Sequence, residues 1–467
     1  MRKLELSCAA MAAILVTATA APAAVTVAPD YLYASQYVGE TTQSCVASAA
    51  GGTFVAVGPG FTAGGQRVVF VSESGATRDV LVGLSSVGDC AYDRANDVLY
   101  VTDNGLETGA STGDTVYALP FASAATAVPA AGHEMVPAGS IPNAASVALA
   151  PAGVYVGDAS GSGAGTVDLV SGGSVVPVVT GLDFTGGIAV EPGGNLLVAQ
   201  TLASFASDLR RYADDGTLLA VLSGPTFDHG SYDIARLEDG RVAITGVWNG
   251  DVVALDPSDG STSALVSGLT FATGIDADPA TGRISILSSS FTGAEEDLTI
   301  HRLVPIDRLV AGRGSGKKEC LAEVYGVELV PKKPGKKARH AICSDGASCD
   351  ADGRADGTCT FPVGVCLAVA DHRLPDCPAA AIAAIELRKA KPPMPAVETM
   401  VASIQASLPV AEGSCFFSDG VAVPVVTTRH GKTKAGKAIL KLRVVSAEGK
   451  PRKDTDKVKL VCEPAAP

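Results

Sequence analysis

Apolar residues in the first three hundred positions fall in short runs of Val, Ile, Leu and Ala, each broken by Gly, Asp, Asn or Ser. Runs this short and this rich in β-branched residues predict strands, because an amphipathic helix needs a longer period. The runs also repeat. "GLDFTGGIAVEPGGNLLVA" at 181–199 has a counterpart in "GLTFATGIDADPATGRISIL" at 268–287. Aligned on that phrase, six copies begin at Cys45, Cys90, Val147, Ile188, Ile234 and Ile275, with spacings of 45, 57, 41, 46 and 41 residues. Second strands read "TFVAVG", "VLYVTD", "GVYVGD", "NLLVAQ", "RVAITG" and "RISILS", and third strands follow in every unit. Fourth strands close most units, as in "SVVPVVTGL", "TLLAVLSGP" and "STSALVSGL". Four short antiparallel strands at a period in the low forties predict the blade of a β-propeller. The sixth unit has three strands of its own, and "DYLYASQYV" near the N-terminus is expected to supply the outer one, since an unpaired edge is a liability.

Past residue 305 the chain changes character. Residues 25–303 hold nine Arg, no Lys and thirty acids, a net of −21, whereas 304–467 carry a net of +7. Eight of the eleven cysteines lie between Cys320 and Cys462. Two regimes of charge and cysteine usage imply two domains. The expected organisation is a leader at 1–23, a propeller at 24–305, a linker at 306–319 and a cysteine-rich β module at 320–467. The fold class is therefore all-β, a six-bladed β-propeller closed by an N-terminal strand plus a small disulfide-rich β domain. In the module "VETMVASIQASL" reads as a short amphipathic helix, and "GVAVPVVTT", "KAILKLRVVSA" and "DKVKLVCEP" read as strands. "PAAAIAAIELRKAK" fits either state.

The leader "MRKLELSCAAMAAILVTATAAPAA" places Arg2 and Lys3 before an apolar run ending in small residues, the order of a secretory signal cut after Ala23. A secreted or periplasmic protein is expected, with no membrane span, as no later run reaches the length of a spanning helix. Cleavage removes Cys8 and leaves ten cysteines, which in an oxidising compartment are expected to form disulfides: Cys45, Cys90, Cys320, Cys343, Cys349, Cys359, Cys366, Cys377, Cys415 and Cys462. Cys45 and Cys90 open the first strands of consecutive units and are expected to pair with each other. The other eight allow 105 pairings, which sequence leaves open.

The grammar "GIAVEPGGNLLVAQ…DLRRYADDG" resembles the six-bladed propellers of the NHL-repeat and SMP-30/gluconolactonase-like group, over residues 30–305. Lactone hydrolases of that group hold a metal with a Glu in the first blade and with Asn and Asp at later strand starts. This chain has no early "EGP", and Gly187 and Gly274 stand where an Asn would be expected. Asn143 and Asp233 are the equivalents that remain. The phrase "CSDGASCDADGRADGTCTFPVGVC" is similar to a cysteine module at the C-termini of exported bacterial proteins, one with no assigned activity.

In a propeller the first-to-second-strand turns share one face. Here those turns ("RAND", "PGGN", "EDGR", "ATGR") are short and uniform, which suits a structural role. The opposite face varies, with "NGLETGASTGD", "ASGSGAG", "TLASFAS", "VWNG" and "SSFTGAEED", and variable loops on a rigid scaffold are where ligands bind. Asn104, Glu107, Gln200 and Glu295 to Asp297 also belong to it. Ligand-binding candidates on this face are Asn143, His229, Tyr232 and Trp248, the last for stacking on a sugar or peptide. Metal candidates are Asp89, Asp103, Asp158 and Asp233, with calcium as the cofactor such oxygens would take.

"FDHGSYD" groups Asp228, His229, Ser231 and Asp233 without a nucleophile elbow or an HExxH phrase to accompany them. Asp350, Asp352 and Asp356 do not make an EF-hand, because Arg354, Ala355 and Phe361 stand where an oxygen ligand, Gly and Glu are required. Nucleic acid is not expected as a partner, since the basic clusters "KKPGKKAR" and "HGKTKAGKAILK" lack interleaved aromatics. These clusters suit docking on the acidic propeller or an anionic polymer of the cell surface. The reading is an exported binding or scaffold protein whose variable face takes a protein or polysaccharide at the cell surface. The alternative is a metal-dependent hydrolase or lyase with a divalent cation in the central channel.

Overall fold

In a computed structural model, the structure describes residues 25–465 apart from 41–44, 50, 61, 74, 106–108, 203–205, 223–230, 247–248, 280, 290–297, 306–308, 312–321, 328–339, 347–349, 351–352, 362, 370–381, 407, 409–414, 419, 428–431 and 447–452. The leader, His229 and Trp248, Glu107 and Glu295 to Asp297, and Cys320, Cys349 and Cys377 lie outside the described residues.

The six repeats fold as six antiparallel sheets. Their innermost strands are Val46–Ala49, Val87–Asp93, Ala144–Ala150, Phe184–Val190, Ser231–Arg236 and Ala272–Ala277. Each lies against the next, and the sixth lies against the first. This is a six-bladed β-propeller. Tyr31–Tyr37 pairs antiparallel with Thr299–Pro305, so the N-terminal segment is the outer strand of blade six, as its sequence predicts. Thr26–Val27 adds a further strand to blade five.

Four seams between blades are fixed in different ways. Blades one and two are joined by Cys45–Cys90, with Cα atoms 4.9 Å apart. Blades six and one meet at Glu73, Arg283 and Arg302, all buried. There Arg283 pairs with Glu73, and Arg302 donates to Gln36 Oε1 at 2.5 Å and to Thr53 Oγ1 at 3.2 Å. Burial pulls the Arg302 pKa down to about 10. A guanidinium that deeply buried is tolerable because its donors meet acceptors. Inside blade six, Tyr33 Oη and Ser288 Oγ sit 2.6 and 2.7 Å from the two ring nitrogens of buried His301. Burial lowers the His301 pKa to about 4, so the ring is neutral near pH 7. The remaining two stapled seams belong to the candidate site.

Blade two departs from the four-strand pattern. Its sheet has three strands, Val87–Asp93, Val98–Asp103 and Thr115–Pro120. The segment that would form the fourth first runs along blade one, where Val128–Pro129 pairs in parallel with Thr77–Leu84, and meets the third strand of blade two only in a single antiparallel bridge, Tyr117 with Glu134. Its sequence, "FASAATAVPAAGHEMVPAGS", is rich in Ala and holds two prolines, a composition that weakens a ladder.

In the C-terminal part, Ile382–Lys391, Gly436–Ser446 and Lys453–Glu463 form an antiparallel sheet to which His340–Ser344 adds in parallel. One face of this sheet, through Leu440, Leu442 and Leu460, packs with Val397, Met400 and Ile404 of the helix Pro395–Ala406. Cys359–Cys462 crosses this core. Cys343 and Cys415 are also disulfide-bonded, and Cys366 lies directly opposite Cys415 in a second sheet. "GVAVPVVTT" splits between two sheets, with Val421–Pro424 pairing with Thr358–Phe361 and Val426–Thr427 with Thr433–Lys434.

The C-terminal part rests on the uniform-turn face of the propeller. Arg354 pairs with Asp97 of the "RAND" turn, and its guanidinium donates to Ser123 Oγ at 3.0 Å. The Arg283 guanidinium of the "ATGR" turn lies 4.4 Å from the ring centre of Phe417. Turns that read as purely structural thus also serve as a docking surface.

Candidate functional site

Five of the six inner strands carry a register shift at the same place, two or three residues before the point where the core-facing run begins. In blades two and five the residue at this bulge is an aspartate. The Asp89 carboxylate accepts from Cys90 N at 2.7 Å on its own strand and from Val147 N at 3.1 Å on the inner strand of blade three. Asp233 repeats the arrangement with Ile234 N and Ile275 N, both at 2.8 Å, the latter in blade six. A threonine on the second strand braces each backbone: Asp89 N donates to Thr102 Oγ1 and Asp233 N to Thr245 Oγ1. Both aspartates are therefore staples between neighbouring inner strands.

The other blades explain why this device is not used six times. Ser146 holds the equivalent position in blade three and Gly187 in blade four. A Cβ at Gly187 would stand 2.3 Å from Ile234 N and 2.5 Å from Asp233 Oδ1, so the staple of blade five requires a glycine next door. A Cβ at Gly157, where blade three lacks the threonine, would stand 2.3 Å from Ser146 Oγ. Asp stands with Thr in blades two and five and small with small in blades three and four, whereas Gly274 of blade six faces Leu287. The Asn expected at 187 from the family resemblance is excluded by this close approach.

Asp89, Asp233 and Asp276 sense one another's charge. Asp276 accepts from Ser48 N at 2.7 Å and so links blade six to blade one. Burial raises the Asp89 pKa to about 7, against the two backbone donors that favour the anion, and the Asp276 charge adds to the rise. Burial raises Asp233 well above the usual carboxylate range, followed by the charge of Asp89. Burial also raises Asp276.

On the variable face the polar groups form a relay across blades two and three. Asn104 Nδ2 donates to Asn143 Oδ1 at 2.9 Å, Asn143 Nδ2 reaches Ser160 Oγ at 3.5 Å, and Ser160 donates to Asp158. Asn143 holds this place with φ at 51°, a conformation asparagine adopts more readily than most residues. Asp103 binds Ser86 N at 2.6 Å and Ser85 N at 3.2 Å, closing the loop beside it. Burial raises both Asp103 and Asp158, with the serine donors pulling the other way. Gln200 accepts from Asp183 N at 3.3 Å, and its buried Nε2 has no partner among the described residues.

Two aromatic rings open onto this side from the starts of adjacent inner strands. Phe184 and Tyr232 are 42% and 38% exposed. The Phe184 ring lies against Gly161, in the loop next to Ser160. Of the sequence candidates, the structure brings together Asn143 with Asp158 through Ser160, and Asp89 with Asp233 across the axis. Asp103 stands apart on its own serines. Ser160, Phe184, Asp276 and the two threonines were missed, although the Asp–Thr pairing was there to be read.

Calcium would need six to eight oxygens around one point. Among the described residues no three acidic, His or Cys side chains come close enough to hold a metal ion. The four candidate carboxylates each bind separate local donors, so the described set does not fit that ion.

The chain matches no protein-family model, and no curated protein matches it in sequence. Among solved structures it is similar to a gluconolactonase from Xanthomonas campestris, 19% identical over 62% of this chain and 97% of that one, with a TM-score of 0.45. It is also similar to the calcium-binding protein regucalcin from Agrobacterium tumefaciens, 13% identical over 58% and 95%, with a TM-score of 0.42. A third is an aldose sugar dehydrogenase from Streptomyces coelicolor in its PQQ-bound form, 16% identical over 60% and 97%, with a TM-score of 0.43. At these identities and TM-scores the likeness assigns no ligand.

Proposed function

We propose that this is an exported binding protein that takes a carbohydrate chain on the variable face of its propeller. The observation that carries the reading is the pairing of two exposed rings, Phe184 and Tyr232, with the amide relay of Asn104 and Asn143. Aromatic faces stack on the apolar side of a sugar, and planar amides bind its hydroxyls. The opposite face is engaged by Arg354 and Phe417 of the C-terminal part, which leaves the variable face for a partner. A metal-dependent hydrolase or lyase would need convergent oxygens, and Asp89, Asp103, Asp158 and Asp233 are directed to separate N–H and O–H donors.

The test is calorimetric titration of the mature protein against envelope-derived oligosaccharides, repeated with Phe184→Ala, Tyr232→Ala and Asn143→Ala. Each substitution should weaken binding by about tenfold, the loss expected for one stacking or paired polar contact. Undiminished binding in all three would place the ligand elsewhere.

A further inference from the structure

The sheet of the C-terminal part has two unlike faces. One is core, through Ala438, Leu440, Leu442, Val458 and Leu460. On the other, Lys389, Lys441 and Lys457 stand directly opposite one another across three strands. One same-face step along, Lys391 and Lys459 flank Ile439, and Lys437 follows on the central strand. Lys389, Lys391, Lys437 and Lys457 are exposed. Like charges directly opposite in a ladder repel, so the array works against its own sheet. Of the two acids that the register places on this face among the described residues, Glu386 is already paired with Arg388 and Arg443, and Glu463 stands at the far end of its strand. The described contacts with the propeller come from Arg354 and Phe417, which belong to other segments.

We infer that this lysine face is a docking surface for a flexible polymer of repeated phosphate groups, such as a phosphodiester-linked envelope polymer. Three features select that chemistry. Neighbouring strands lie about 4.8 Å apart and same-face residues about 6.7 Å apart, so ammonium groups surround each anion from several directions. Lysine binds phosphate as a compact point charge that requires no planar match, and the one arginine placed on this face by its register, Arg443, is engaged with Glu386. No Phe, Tyr or Trp stands at the register positions of the six lysines, and the one ring placed beside them is the imidazole of His340 opposite Lys459, which sets the face apart from the aromatic platforms of single-strand nucleic-acid surfaces.

The experiment measures binding of long-chain polyphosphate to the full mature chain as salt is varied. Six neutralised charges give a slope of about −4 in log K against log salt, or roughly a 250-fold loss between 50 and 200 mM. Lys389→Gln, Lys441→Gln and Lys457→Gln together should reduce the slope to about −2 and the loss to roughly 20-fold. The corresponding triple Lys→Arg variant should keep the wild-type slope, and circular dichroism confirms that both variants fold. No binding at 50 mM, or an unchanged slope in the folded Gln variant, would overturn the proposal. Equal affinity for polygalacturonate would overturn the choice of phosphate. Self-association at low salt that the Gln variant abolishes would replace the polymer with the acidic propeller of a second copy.

Discussion

Asp89 offers the sharpest test of the channel staples, through the pH dependence of stability. Its folded pKa is about 7 against an ordinary value of 3.8. A carboxylate whose pKa is raised on folding binds more protons folded than unfolded. Its contribution is complete below the unfolded value and is lost as pH rises toward the folded one. Between pH 5 and 7 that contribution falls by roughly 2–3 kcal/mol, at about 1.4 kcal/mol per unit. His301 acts in the opposite sense, since its pKa is lowered to about 4 and its contribution disappears as pH falls below the ordinary 6.5. The two effects overlap, so the informative quantity is the difference between wild type and Asp89→Asn. The asparagine cannot titrate, and it presents an amide to one of the two backbone donors at Cys90 and Val147. At pH 5 the variant should be less stable by about 1–3 kcal/mol, the cost of one buried donor left without an acceptor. By pH 8 most of that deficit should close, a change of about 5 °C in the relative melting temperatures. Thermal unfolding followed by circular dichroism at half-unit intervals measures this directly. Melting curves that shift in parallel from pH 5 to 8 would refute a raised Asp89 and reduce it to an ordinary surface-like acid.

Four other outcomes are expected. Gly187→Ala should cost about 1–3 kcal/mol in urea unfolding because its Cβ meets Ile234 N, while Gly193→Ala, with nothing within 4 Å, should be nearly neutral. Replacing Cys45 and Cys90 with serine should lower unfolding free energy by about 2–4 kcal/mol under non-reducing conditions, since the bridge closes a span of 45 residues. His301→Leu leaves the Tyr33 and Ser288 hydroxyls without the ring nitrogens and should cost about 2–4 kcal/mol, with the acid-side loss of stability reduced. Arg354→Ala combined with Phe417→Ala should raise hydrogen exchange in residues 353–361 without changing exchange in blades three and four, which neither side chain touches.

The repeat was legible because each blade is written locally. A tight turn between two β-branched runs states the first hairpin, and a bulge recurs at one place in five strands. Cys45–Cys90 could be anticipated for the same reason, as equivalent positions on adjacent blades are neighbours in space. What stayed hidden depends on residues far apart in the chain. "PAAAIAAIELRKAK" carries strong helix formers, yet Ile382–Lys391 is a strand because the long strand Gly436–Ser446 pairs with it. Asp89 looked like a metal ligand because its residue type suits one, and only the approach of Val147 N reveals a staple. The docking of Arg354 on Asp97 joins positions 257 residues apart, beyond any local pattern.

The pairing of Tyr31–Tyr37 with Thr299–Pro305 sets the order of events in synthesis. A ribosome must release the last strand of the sixth blade before Tyr31–Tyr37 has its partner. Contacts of such long range are slow to form, so blades one to five emerge with both ends of the ring open and their edges unpaired. Cys45–Cys90 needs only the first two blades and can close as soon as these reach an oxidising compartment. The bridge then acts as a clasp on a necklace still being strung, keeping the leading edge in place until the final strand arrives.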